Sequence, residues 1–163
     1  MTIIADSTAL ILLAKVSVLE TFVKRNDVIT SEVVYEEVVK GKEIGRIDSI
    51  LVEKLVHGKN LKVKAPNNSV KNNIQKLFNL KGGELEAVAL AYKTNNTILS
   101  DDKKCLNTAK ALGIGFITSL DVIVVLYKKR IITKEKALKC IAELEEYGWY
   151  AKNLIKSYRE ELK

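Results

Sequence analysis

Thr97-Ile98-Leu99-Ser100-Asp101-Asp102 is an apolar run that stops in two aspartates, and Thr2-Ile3-Ile4-Ala5-Asp6 has the same form at the start of the chain. Each runs into a stretch that reads as helix, Ser7 to about Lys15 in one case and Lys103 to Leu112 in the other. Short buried strands alternating with helices predict a parallel sheet covered on both faces. In such a sheet the residues just past the strand ends project into the crevice where ligands bind. Asp6 and Asp102 occupy those positions.

Outward from these segments the alternation continues. Leu10-Ile11-Leu12-Leu13-Ala14 is apolar on all sides, as expected of a covered helix. A short helix from Val18 to Lys24 precedes the apolar piece Val28-Ile29, and Thr30-Ser31 then offers an N-cap. Glu32 to Lys40 is rich in β-branched residues. Apolar recurrence at Val33, Val34 and Val38, with Gly41 as a stop, favours helix. Ile44 to Val56 reads as helix, Leu61 to Val63 as strand, and the stretch around Pro66 as loop. Val70 to Leu80 is helical, Lys81-Gly82-Gly83 is a break, and Glu84 to Lys93 is helical again. Gly115 to Thr118 is a strand and Leu120 to Lys129 a helix.

The tail differs. Lys134 to Glu146 is a helix carrying Ala137, Leu138, Ile141, Ala142 and Leu144 on one side, until Gly148 breaks it before Trp149-Tyr150. A last helix carries Leu154, Ile155, Tyr158 and Leu162. Such a helical pair could cap the sheet or form a dimer surface. The expected architecture is α/β, a three-layer α/β/α domain over residues 1–130 with a helical extension, 131–163, taken as packed on the same domain.

Composition narrows the chemistry. The 163 residues suit one domain, and 47% hydrophobic with 29% charged residues is ordinary for a globular protein. The formal charge of +7 favours polyanionic partners, although a lysine-rich solvated surface gives the same count. No apolar run approaches the roughly 20 residues of a membrane span. The start of the chain lacks the basic region of a signal peptide, so the expected location is the cytoplasm. Cys105 and Cys140 have neither metal-site spacing nor a disulfide framework. His57, beside Gly58 and Lys59, is the sole histidine, so a His-rich zinc site cannot be built and a Ser-His-Asp triad would have to use it.

Carboxylates are left to carry the chemistry. Asp6 and Asp102 each read equally as the N-cap of the following helix, worth about 1 kcal/mol. Asp101 competes with Asp102 for the inward position. On a helical wheel Glu37 falls between Val33 and Val34, and a carboxylate on an apolar face is costly unless paired or bound to a cation. Glu84 shares its face with Ala87, Val88 and Ala91, whereas Glu86 points elsewhere, beside Leu90 and Lys93. A charge near a helix N-terminus, worth roughly 0.3–1 kcal/mol, is the alternative role for Glu84. Four acids converging from strand ends and helix faces suit a hard cation such as Mg²⁺ or Mn²⁺, which activates water and stabilises phosphate charge. Metal-dependent phosphodiester cleavage is the expectation.

At these residues the chain resembles the PIN-domain ribonucleases. The matching pieces are Ile3 to Thr8, Val34 to Val38, Gly83 to Ala91 and Ile98 to Asp102, in family order over roughly residues 1–130. The resemblance implies hydrolysis of RNA at an Mg²⁺ or Mn²⁺ pocket made by Asp6, Glu37, Glu84 and Asp102. Ser7 or Thr8, Ser100 and Asp101 would support it. Within the family the chain looks most like the VapC-type prokaryotic toxins and their relatives, which implies a homodimer and an antitoxin partner. Lys103 and Lys104, candidates for RNA contact, stand where related chains often carry arginine, and lysine offers a phosphate a point charge in place of a fork.

A non-catalytic PIN-like module that binds nucleic acid or protein is the alternative reading. A phosphatase with Asp6 as nucleophile would want a second aspartate two residues on, where Thr8 stands. A receiver-like phosphoacceptor would need an early acidic pair, and Asp6 is single.

Overall fold

A computed structural model of the chain describes residues 1–40 and 46–163. In chain order the elements are β1 Thr2–Ala5, α1 Ser7–Lys15, α2 Leu19–Val23, β2 Asp27–Ser31, α3 Glu32–Val39, α4 Ile47–His57, β3 Leu61–Lys64 and α5 Asn68–Phe78. They continue with α6 Gly82–Ala91, β4 Thr97–Leu99, α7 Lys103–Ala111, β5 Phe116–Ile117, α8 Ser119–Lys128, α9 Lys134–Tyr147 and α10 Lys152–Glu160. The expected stop at Gly41 and helix start at Ile44 lie outside the described residues.

The five strands form one parallel sheet in the order β3-β2-β1-β4-β5. Strand side chains alternate between faces, and the alternation builds two cores. Ile3, Ala5, Val28 and Leu99 pack on one side with buried residues of α1, α3, α4, α8 and α9. Ile4, Ile29 and Ile98 pack on the other with residues of α5, α6 and α7. This is the three-layer α/β/α arrangement, and β1 is its central strand. The chain moves outward from β1 through β2 to β3, then returns to the opposite side of β1 with β4. The direction of winding therefore reverses between β1 and β4, and their carboxyl ends flank the switch-point crevice.

Val28-Ile29 proves to be the centre of a strand that runs to Ser31, whose hydroxyl caps α3 by accepting from the Val34 N–H. α5 starts earlier than its apolar residues suggest, because the Asn67 side chain accepts from the Ser69 and Val70 N–H groups. The expected break between helices is present but ends at Lys81, ahead of Gly82 and Gly83. They are the first two residues of α6, with Gly82 at φ +60°, a left-handed conformation suited to glycine.

The terminal helices differ in detail from their expected faces. In α9 the buried stripe is Ala137, Cys140, Ile141 and Leu144, while Leu138 and Ala142 are exposed. Ile155 of α10 and Leu162 beyond it are buried in the same core as Ile3 and Leu99. The expected covering of α1 is also incomplete. Leu10, Leu13 and Ala14 are buried, but Ile11 and Leu12 are only half-buried and border an open cavity.

Candidate functional site

Asp6 ends β1, caps α1 and is 1% exposed. One carboxylate oxygen accepts from the Ala9 N–H at 3.0 Å and the Thr8 hydroxyl at 2.8 Å; the other accepts from the Ser100 hydroxyl. Those hydroxyls also bind the backbone of the turn after β4. Thr8 Oγ1 accepts from the Asp101 N–H, and Ser100 Oγ accepts from the Asp102 N–H. Thr8 and Ser100 thus pin the turn after β1 to the turn after β4, with Asp6 between them. Of the pair Ser7 and Thr8, it is Thr8 that takes this role. Burial pushes the Asp6 carboxyl up to about 6; the Ala9, Ser100 and Thr8 hydrogen bonds oppose the rise.

The paired aspartates divide their work. Asp102 caps α7, accepting from the Cys105 N–H at 2.7 Å. Asp101 turns the other way. It accepts from the Ser119 N–H and hydroxyl at the start of α8 and from the Tyr150 hydroxyl at 2.6 Å. Burial raises the Asp101 carboxyl above the ordinary carboxylate range, against the lowering effect of Ser119 and Tyr150.

Glu37 departs from its expected position. It is exposed, and Val34 and Val38 alone carry the buried side of α3. The carboxylate lies over the start of α6, where Oε1 accepts from the Gly83 N–H at 3.0 Å. A Cβ at Gly83 would stand 2.7 Å from both Glu37 Oε2 and Val34 Cγ2, so the absence of a side chain lets α3 and α6 approach. Glu84, one residue on, is half-buried. Burial is the main cause raising its carboxyl above the ordinary range, followed by the negative charge of Asp102; Glu37 adds to it and Lys104 and Lys81 oppose it. Glu86 is the more deeply buried acid of that helix, paired with Lys71 at 3.3 Å, a role that the wheel reading did not give it.

The donor set is made of oxygens, which suits a hard divalent cation. The negative charge of Asp102 and Glu37 acting on Glu84 is what such a cation relieves. The expected convergence on one ion is looser than the pattern suggests. Among the described residues no three Asp, Glu, His or Cys side chains stand close enough to grip a single metal. Cys105 lies buried behind the cluster, and its thiol is pushed up to about 12, chiefly by burial and then by Asp6, so it stays protonated and unreactive. His57 ends α4 as an exposed residue.

Two cavities meet at this point. One, of about 480 Å³, is lined by Phe78, Asp102, Lys103, Lys104, Asn107 and Thr108. The other, of about 460 Å³, lies between α1 and the turn joining α9 to α10. Asp102 and Lys103 line both. Lys103 and Lys104 are both exposed, and Lys104 donates to the Asn79 carbonyl at 2.8 Å.

A PIN-domain family model, DUF3368, matches residues 2–162. The chain belongs to the PIN-domain family. PIN domains are generally nucleases, and the match includes the terminal helices beyond the stretch in which the sequence resemblance lies. The crystal structure of PAE2754 from Pyrobaculum aerophilum superposes with a TM-score of 0.59 at 17% identity, covering 77% of this chain and 98% of that one. The structure of VapBC-1 from nontypeable Haemophilus influenzae gives 0.52 at 15% identity, covering 73% and 98%. At these identities the likeness is one of fold. No curated protein sequence matches.

Tyr150 and Ser119 are the site residues that sequence reading did not single out. For Ser119 a signal existed. Thr118 and Asp121 form a capping box at the start of α8, which fixes the N–H that Asp101 accepts. For Tyr150 there was none, since only the tertiary fold brings residue 150 to residue 101.

Proposed function

We propose that this PIN domain is a metal-dependent endoribonuclease that hydrolyses RNA phosphodiester bonds at the crevice between β1 and β4. The observation that carries this reading is Asp6, buried at the switch point and held by hydroxyls from both strand ends. Asp6, Glu37, Glu84 and Asp102 are the residues to hold Mg²⁺ or Mn²⁺. The ion, when bound, supplies Lewis-acid stabilisation of phosphate charge and lowers the pKa of water. Ser100 and Thr8 fix the Asp6 carboxylate in one orientation, and Asp101 braces the second turn against α8. Lys103, exposed where the two cavities meet, offers a charge to an RNA phosphate. A toxin role in a toxin–antitoxin pair, with a homodimeric form and a cytoplasmic location, goes with this reading. Among the described residues no helix is long and apolar enough to cross a membrane.

The test is cleavage of a labelled single-stranded RNA with Mg²⁺ or Mn²⁺, with chelator, and by Asp6→Asn. Cleavage lost in both controls is the expected result. The loose spacing of the carboxylates favours one second reading, a PIN-like module that binds RNA or protein without cutting. A folded protein that binds several RNAs and cuts none with either metal would establish that reading instead.

A further inference from the structure

Trp149 is 105% exposed, the largest apolar ring on the surface and the only tryptophan in the chain. Its position follows from its neighbours. Gly148 is extended at φ −108° and ψ 168°, and a Cβ there would stand 2.3 Å from the Tyr150 ring. The missing side chain lets Tyr150 fold inward to Asp101, while Trp149 stands out in solvent at the rim of the 460 Å³ cavity. Tyr147, 49% exposed, lines the same cavity, and the half-buried Ile11 and Leu12 of α1 contribute to its wall. Lys15 Nζ lies 5.1 Å from the centre of the Tyr147 ring, and Lys103 lines the side shared with Asp102. Exposed rings interleaved with cations are the arrangement that binds single-stranded nucleic acid, bases stacking on the rings and phosphates meeting the cations.

We infer that this cavity is a nucleotide subsite of the RNA-binding groove, in which a base flanking the cleaved phosphate stacks on Trp149 while Lys15 and Lys103 engage the backbone. The inference rests on the ribonuclease reading and deepens it. RNA fits this cavity better than a protein segment: Lys15 and Lys103 stand beside its rings, and the two carboxylates that also line it are engaged, Asp101 by Ser119 and Tyr150 and Asp102 by the Cys105 N–H. The cavity runs into the candidate site at Asp102 and Lys103. The Tyr150–Asp101 hydrogen bond makes the platform part of the same framework, because the Asp101 N–H is bound in turn by Thr8. A base placed on Trp149 is thereby held in register with the crevice.

The sole tryptophan reports directly on its own surroundings. The full-length protein is titrated with a short single-stranded oligoribonucleotide in chelator and, separately, in Ca²⁺. Tryptophan emission and the anisotropy of a labelled copy are followed together. The expected result is quenching that tracks binding, affinity weakened roughly 5- to 150-fold in Trp149→Ala, and most of it retained in Trp149→Phe. Trp149 is fully exposed, so neither variant disturbs the core. Binding with unchanged emission and equal affinity for Trp149→Ala overturns the subsite and leaves the ribonuclease reading intact. Failure of the wild-type protein to bind or cut any RNA overturns both. Unchanged RNA affinity with a dimer lost in Trp149→Ala by sedimentation overturns the subsite in favour of a protein contact.

Discussion

Replacing Asp6 by asparagine tests the electrostatics of the site apart from its chemistry. Burial raises this carboxyl from the ordinary 3.8 to about 6, so folding makes its charged form less favourable. The difference of about 2 pH units, at about 1.4 kcal/mol each, amounts to about 3 kcal/mol. The sign follows from the protons bound. Below the unfolded value both states are protonated and stability is undiminished. As pH rises through the folded value the unfolded chain has already released its proton, so stability falls until Asp6 is ionised in both states. Asparagine carries no such penalty. Its amide oxygen accepts from Thr8 and Ala9 as the carboxylate does, while its N–H₂ meets Ser100, at a cost of about 1 kcal/mol that does not vary with pH. Relative to wild type, Asp6→Asn is expected to gain about 3 kcal/mol between about pH 4 and pH 7.5. For a chain of this size that is roughly 6–12 °C in Tm. Urea and thermal unfolding of both proteins in chelator, across that range, measure it. A stability difference that stays constant with pH, or a variant that weakens as pH rises, would refute the claim that burial disfavours the Asp6 charge.

Two further substitutions probe the supports of the site. Gly83→Ala puts a methyl 2.7 Å from Val34 Cγ2 and Glu37 Oε2, so overpacking of roughly 1–3 kcal/mol is expected in urea unfolding. Wild-type stability in that variant would mean that α3 and α6 separate without strain. Tyr150→Phe removes the 2.6 Å hydrogen bond to Asp101, at a cost of roughly 1–3 kcal/mol at neutral pH. That bond holds the Asp101 carboxyl down against burial, so its removal raises the carboxyl further, and the destabilisation should grow as pH rises and the carboxyl ionises. A loss equal at acid and neutral pH would show that Asp101 does not sense the tyrosine.

Much of the fold was legible in the residues. The runs Ile3-Ile4-Ala5 and Ile98-Leu99 read as buried strands because nothing polar interrupts them, and each aspartate that follows is both a cap and a crevice residue. The site was legible more coarsely. Asp6, Ser100 and Thr8 assemble much as strand-end positions imply, since a parallel sheet aligns its carboxyl ends. Glu37 was misplaced because a wheel gives an angle about one helix axis and says nothing of where the neighbouring helix lies. Its carboxylate is exposed, yet it binds the backbone at Gly83 because α6 begins with two glycines. Glu86 was misjudged for the same reason, as α5 packs over it and supplies Lys71.

The sequence by itself determined the α/β class, the buried character of the first strand and the acidic character of the crevice. Apolar periodicity, glycine positions and caps act over a few residues and need no knowledge of the rest of the chain. Only the tertiary structure decided that β4 returns beside β1, that Asp101 faces Ser119 and Tyr150 while Asp102 faces the groove, and that Trp149 is left in solvent at its rim. Those facts join residues up to 94 positions apart, as Asp6 and Ser100 are. No local preference encodes such a pairing; it is fixed when the two faces of one sheet are buried together.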